Sequence, residues 1–340
     1  MIDFDKSNLT IFKSLISDAK KIALISHTNP DGDAIGSLLA SKRVVEAHTS
    51  APPSCILPSP LPDLFAFLPG YNQIITDNQD HTRCEQALLE ADLIIALDLN
   101  NAPRVDNLAQ ALSDSKAHKV LIDHHHSPDT NLFHLLFSIP EFSSTCELAY
   151  WLFTAMYGDD AIDQSTARCL YSGICTDTGF FSYSCESPTV FEAASRLVAL
   201  DIDPAGIHDE ISNCFSINRM EFYGYAISNR LKILPNLRVA YFYLSLEDQR
   251  KFAVVPSDME GLVNYTLMMK EIEVGVLIRE EPNRVKVSFR AKKDFDVSDF
   301  AHRLFGGGGH TKAAGATSAL PFKQTVELIE RELTSTLSTH

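Results

Sequence analysis

His27, Asp31 and Asp33 lie within seven residues of one another in "SHTNPDGDAIGS" (26–37), directly after the apolar run "KIALI". An imidazole beside two hard carboxylates suits Mn2+ or Mg2+, and Asp31 and Asp33, flanking Gly32, can face adjacent ions. An Asp-Gly turn with Asp33 as N-cap of the next helix accounts for the same residues. Asp98 follows in "ALDLNN", the run "DHHHS" brings Asp123, His124, His125 and His126, and Asp177 stands in "SGICTDTG". Taken singly, these are turn caps and a solvated loop. Together they supply at least two histidines and four aspartates for ligation, and buried carboxylates crowded together are costly without cations. Such a set suits two ions roughly 3.5 to 4 Å apart, the arrangement that clamps the attacking and leaving oxygens in phosphoryl transfer.

A last cluster is "FGGGGHTKAAGA" (305–316). Its glycines open backbone conformations closed to other residues and can line up successive N–H groups as an anion nest, with His310 and Lys312 beside it. A flexible turn is the plainer account of a lone glycine loop. Arg290, near the end of "RVKVSFRA", offers a forked donor for phosphate or carboxylate.

The elements that must position these residues alternate. Short apolar runs at 21–27, 54–58, 73–77, 92–98 and 118–123 read as strands covered on both faces. Helical patterns fall at 34–47, 83–90 and 105–115, followed by 144–157 and 163–175. The alternation implies a parallel sheet flanked by helices, with His27, Asp98 and the "DHHHS" run at carboxyl ends of strands, where open α/β sheets bind ligands. From 186 consecutive helices suggest a linker. After 232 the expected order is strand (238–244), helix (257–269), strands (272–279 and 284–291), helix (296–304), the glycine run, strand (313–319) and helix (321–336). The fold class is therefore α/β, divided into a first domain at 1–185, a helical linker at 186–231 and a smaller α/β domain at 232–340.

Composition narrows the function. The 340 residues are 45% hydrophobic, enough to bury a sizeable core, and the length favours two domains. A formal charge of −15 argues against an extended nonspecific grip on duplex DNA, but leaves room for a small anion in a local cationic pocket. No apolar stretch approaches the roughly 20 residues needed to span a bilayer, and the start "MIDFDKS" lacks a secretory pattern, so a cytoplasmic location is expected. The seven cysteines (Cys55, Cys84, Cys146, Cys169, Cys175, Cys185 and Cys214) are scattered, without a C-x-x-C pair, and are expected to be mostly small core residues.

In order, "HTNPDGDAIGS", "ALDLN", "DHHHS" and "SGICTDTG" resemble the four motifs of the DHH phosphoesterases, and "GGGGHTKAAGA" resembles the signature of the DHHA1 domain. The spacing is similar to that of the short two-domain members, the nanoRNases that in many cases also act as pAp phosphatases. The resemblance implies a DHH catalytic domain followed by a DHHA1 substrate-binding domain, and two Mn2+ ions, with Mg2+ or Co2+ as substitutes. His27 and Asp31 would hold one ion, Asp33, His124 and Asp177 the other, and Asp98 would bridge them. His125 would face the reacting phosphate and Asp123 would orient the histidines. Arg104, Arg290, Gly307, Gly308, Gly309 and His310 would contact substrate. "ALDLNN" departs from relatives that more often carry a serine or threonine after the aspartate and an acidic residue two further on.

The implied activity is hydrolysis of short oligoribonucleotides such as pApA to mononucleotides, with pAp to AMP and phosphate as a second role. Cyclic-dinucleotide phosphodiesterase activity is the near alternative, and exopolyphosphatase or pyrophosphatase activity a more distant one. A noncatalytic nucleotide sensor is the reading from a different class. Expected partners are short single-stranded oligonucleotides or pAp, not long duplex DNA or a membrane, and a homodimer stays open.

Overall fold

The structure is a computed structural model describing residues 4–50, 52–213, 215–292 and 295–337. It divides at residue 214 into two units, Met1–Cys214 and Phe215–His340.

In the first unit six parallel strands, β1 (Ile22–Ile25), β2 (Ser54–Leu57), β3 (Ile74–Thr76), β4 (Leu93–Leu97), β5 (His118–Asp123) and β6 (Leu135–Ser138), lie in the order β3-β2-β1-β4-β5-β6. Around them run α1 (Lys6–Asp18), α2 (Gly32–Glu46), α3 (His81–Leu89), α4 (Ala109–Asp114), α5 (Thr145–Tyr157), α6 (Gln164–Asp177), α7 (Pro188–Val198) and α8 (Pro204–Ser212). Alternate strand residues feed two cores. Ile22 and Leu24 pack with α2, α5 and α6 on one face, and Ala23 and Ile25 with α3 and α4 on the other. The chain builds outward from β1 to β3, then returns to β4 on the far side of β1. The strand order thus reverses between β1 and β4, the place where α/β sheets open a crevice.

The second unit holds a mixed sheet in the order β11-β12-β10-β9-β8-β7, from β7 (Leu231–Leu234), β8 (Val239–Leu244), β9 (Val274–Glu281), β10 (Arg284–Ala291), β11 (Gly308–His310) and β12 (Ala313–Ser318). Its helices are α9 (Ile217–Tyr225), α10 (Leu246–Lys251), α11 (Asn264–Leu267), α12 (Val297–Phe305) and α13 (Phe322–Leu337). Val285, Val287 and Phe289 pack with α12 and α13, while Phe242, Leu244 and Leu277 pack with α9 and the stretch 259–263.

Several expectations change. Within the stretch 186–231, expected as a helical linker, Val190, Ala193, Leu197 and Ile207 join the first core, whereas Phe222, Tyr223 and Ala226 join the second. The helix expected over 257–269 is broken at Gly261 (φ 83°) into a short 3-10 turn and α11. The helix expected over 105–115 begins only at Ala109, because Asp106 takes a left-handed φ of 48°. The sequence reading also lacks helix α1 and the short edge strands β6 and β7; the two strands have only four residues each, too few to show a periodicity. The described cysteines are buried except half-buried Cys185, and none is paired. Burial pushes the thiols of Cys55, Cys84, Cys169 and Cys175 up to about 12, as befits core residues. Cys214 lies outside the described residues.

Candidate metal centre

Register brings the first pair together. Ile25 of β1 pairs with Ala96 of β4, so two residues further on His27 meets Asp98, with Nε2 3.1 Å from Oδ2. The other ring nitrogen, His27 Nδ1, lies 2.8 Å from the Thr28 carbonyl, an acceptor that holds the Nδ1–H and turns Nε2 toward the carboxylates. Asp98 sits in the left-handed region at φ 56°, uncommon for a non-glycine residue. That turn directs its two oxygens apart. Oδ2 faces His27, while Oδ1 accepts from Thr145 Oγ1 at 3.2 Å and lies 3.6 Å from His124 Nε2.

Helix ends supply the other carboxylates. Asp31, not Asp33, caps α2: its Oδ1 accepts from the N–H groups of Asp33 and Ala34 at 3.1 and 3.0 Å. Asp33, in the first turn, is fully buried and accepts from the Thr145 and Cys146 N–H groups at 2.7 and 2.8 Å. Those donors are the unpaired amides at the N-terminus of α5, which favour an anion. Asp177 ends α6, with Oδ2 3.3 Å from His124 Nε2. His124 Nδ1 is 3.3 Å from the Phe142 carbonyl, so its Nε2 also faces the carboxylates.

Three sets therefore have ligand atoms within 4.8 Å of one another: His27, Asp31 and Asp98; Asp33, His124 and Asp177; and Asp98, His124 and His125. Their electrostatics call for added positive charge. Burial, together with neighbouring Asp98 and Asp31, pushes the Asp33 carboxyl well above the ordinary range. Burial, with Asp33, Asp31 and Asp98, does the same to Asp177. Burial opposes the charged form of His27, yet the hydrogen bond and charge of Asp98, with Asp31, raise it to about 9. Asp98 is also penalised by burial, but His27, His124 and His125 hold it well below the usual carboxylate range. Hard oxygens and exposed Nε2 atoms arranged this way fit divalent cations.

His125 is held differently. Its Nδ1 is 2.7 Å from Asp123 Oδ1 and its Nε2 is 3.2 Å from Arg104 Nη1, so both ring nitrogens are engaged by side chains of the protein. Asp123 is fully buried at the end of β5 and its Oδ2 has no partner among the described residues. Arg104 lies in the 3-10 segment Ala102–Leu108, whose carbonyl at 104 accepts from the Thr28 N–H at 2.8 Å.

The glycine cluster is an edge strand. Gly308, Gly309 and His310 form β11, and a Cβ on Gly307 or Gly309 would lie 2.3 Å from the Gly315 carbonyl oxygen or 2.4 Å from that of Ala313. Close approach to β12 thus accounts for those two glycines without an anion nest. Arg290 is opposite Ala313, itself opposite His310, so both lie in one row of the second sheet.

Sequence reasoning placed a helix near 144 but missed its part in the site. The signal was "STCE", with Ser144 capping α5 and Glu147 three residues on, the mark of a helix N-terminus.

The model of the DHH family, N-terminal domain, matches residues 21–174, and that of the DHHA1 domain matches residues 236–338. An exopolyphosphatase-related protein of known crystal structure from Bacteroides fragilis is 31% identical, with 97% of this chain and 96% of that one covered and a TM-score of 0.94. The "Bifunctional oligoribonuclease and PAP phosphatase NrnA" of Mycoplasma pneumoniae is 24% identical, covering 92% of this chain and 91% of its own length. The "Probable bifunctional oligoribonuclease and PAP phosphatase NrnA" of Streptococcus mutans is 25% identical, covering 91% and 94%. Two family models in tandem, with the four DHH motifs gathered at one end of the first sheet, and a 31% identical relative matched over nearly the whole chain establish that this chain belongs to the DHH family and carries a DHHA1 domain.

Proposed function

We propose that this DHH-family phosphoesterase hydrolyses short oligoribonucleotides such as pApA to mononucleotides, and pAp to AMP and phosphate, with two Mn2+ ions at the centre. The observation that carries the reading is Asp98, whose two oxygens face separate ligand sets, as a bridging carboxylate requires. His27 and Asp31 would hold one ion and Asp33, His124 and Asp177 the other. When bound, such a pair lowers the pKa of a water nucleophile and neutralises charge on the phosphoryl group.

The protein's own side chains do the rest. The α5 amides keep Asp33 oriented, and the Thr28 and Phe142 carbonyls turn His27 and His124. Asp123 orients His125, and the Arg104 guanidinium beside it supplies a positive group for the equatorial oxygens of a phosphate. Arg290 and His310, in one row of the second sheet, would take a further substrate phosphate. The choice of substrate is supported by the names of the Mycoplasma and Streptococcus relatives.

The test is a comparison of pApA, pAp, a cyclic dinucleotide and polyphosphate with purified protein, Mn2+ against chelator. Mn2+-dependent AMP release from pApA and pAp is the expected result. Turnover confined to polyphosphate or the cyclic dinucleotide would overturn the substrate assignment. Nucleotide binding without turnover of anything would favour a sensor.

A further inference from the structure

One face of the second sheet carries a cation that the proposed contacts do not use. Along β10, Val285, Val287, Phe289 and Ala291 point into the core, so Arg284, Lys286, Ser288 and Arg290 share the opposite face. Neighbouring strands continue that face in rows. Arg290, Ala313 and His310 form one row, Ser288, Gly315 and Gly308 the next, and Lys286 and Thr317 the third. The floor between the cations is made of small residues. A Cβ at Gly308 would meet nothing within 4 Å, and one at Gly315 only the Val287 carbonyl oxygen at 3.9 Å.

The charges on this face are unequal. Arg284 is taken up by Glu281, 2.6 Å away, which also binds Arg279 at 2.6 Å. Lys286 is exposed and has no ion-pair partner among the described residues. In a chain of formal charge −15, an uncompensated lysine in line with an arginine and a histidine is a local anion seat. Lys286 and Arg290 are four residues apart on a strand, a span of about 13 Å. One ribose between two phosphates cannot cover that distance, whereas an extended oligonucleotide can.

We propose that this sheet face seats a single-stranded oligonucleotide, with one phosphate at Arg290 and His310, a later phosphate at Lys286, and the intervening nucleotide on the floor of Ser288, Ala313, Gly308 and Gly315. The proposal rests on the nucleotide reading above and adds a determinant of length. Substrates of three or four nucleotides reach Lys286; pAp does not.

The experiment compares wild type, Lys286→Gln and Lys286→Arg on pAp and a 5'-phosphorylated tetra-adenylate across a salt series. Lys286→Gln should raise the ratio of KM for the tetranucleotide to KM for pAp about five-fold, and lessen the slope of log KM against log salt for the tetranucleotide by about 0.7. Lys286→Arg should restore both. A ratio and slope equal to wild type would overturn the proposal. Anisotropy of a fluorescein-labelled tetranucleotide in chelator separates this failure from that of the activity itself. If wild type hydrolyses no nucleotide, weaker tetranucleotide binding by Lys286→Gln still supports the seat, and absent or unchanged binding overturns it.

Discussion

Asp98 is the residue on which the centre turns. Its left-handed backbone costs on the order of 1 kcal/mol or more, a strain tolerated because it directs one oxygen toward His27 and the other toward His124. Asp98→Asn keeps the shape and removes the charge, so kcat should fall at least about 100-fold while the far-UV circular dichroism stays that of wild type. Added Mn2+ should raise the melting temperature of wild type, since a ligand at 100 times its Kd stabilises by about 2.7 kcal/mol. In Asp98→Asn most of that shift should vanish. A variant keeping both activity and the Mn2+ shift would remove Asp98 from the centre. Individual residue types were legible here: every candidate ligand in the first unit lies at one sheet edge. The N-cap was misassigned, because Asp31 and Asp33 are equally good caps on paper and only the α2 dihedrals choose between them.

Helix α6 shows what the elements contribute. Asp177 at its end approaches the α2 site because glycines let the helices touch. A Cβ at Gly173 would lie 2.2 Å from Cys146 Sγ and 3.1 Å from the Asp33 Cα, and one at Gly36 2.6 Å from the Cys169 carbonyl oxygen. Gly173→Ala should therefore push α6 from α2 and α5, costing about 1–3 kcal/mol by overpacking and lowering kcat as Asp177 moves from Asp33. Urea unfolding and steady-state kinetics measure the two effects. Adding Cys146→Ala removes the sulfur and should recover part of each, a coupling that independent sites would lack. Full stability and activity in Gly173→Ala alone would refute the close-contact account. Strands β1, β4 and β5 were readable as apolar runs, whereas β6 and β7 were not, being four-residue edges whose pairing comes from their neighbours.

At the scale of the whole molecule, two units each hold their own core, and the second has an electrostatic lock of its own. Asp248 is buried and accepts from Arg230, Tyr225 and Ser245 at 2.6 to 3.0 Å. Burial alone would raise its carboxyl, but Arg230, then Tyr225 and Ser245, hold it well below the usual range. A depressed folded value adds stability above the ordinary carboxylate range, and that stability drains away as pH falls from about 5 through the folded value. Asp248→Asn should thus cost roughly 2 kcal/mol at pH 7 and less near pH 3, where part of the contribution has already been lost. Hydrogen exchange in peptides spanning 226–248 is the measurement; a deficit independent of pH would deny the carboxylate this role.

What the sequence determined by itself was chemistry and order: the residue types able to ligate a divalent cation, the strand–helix alternation that sets them at carboxyl ends of strands, and five motifs specific to one family. Those follow from side-chain chemistry and local periodicity, which a chain carries wherever it is cut. Tertiary structure alone decided the rest. It paired His27 with Asp98 through the β1–β4 register and brought the α5 amides to Asp33 across more than a hundred residues. It turned the glycine run into an edge strand and aligned Lys286 with Arg290 and His310 on one sheet face. Each of these depends on which backbones hydrogen-bond and how closely they approach, and such contacts join residues whose separation along the chain leaves no local trace.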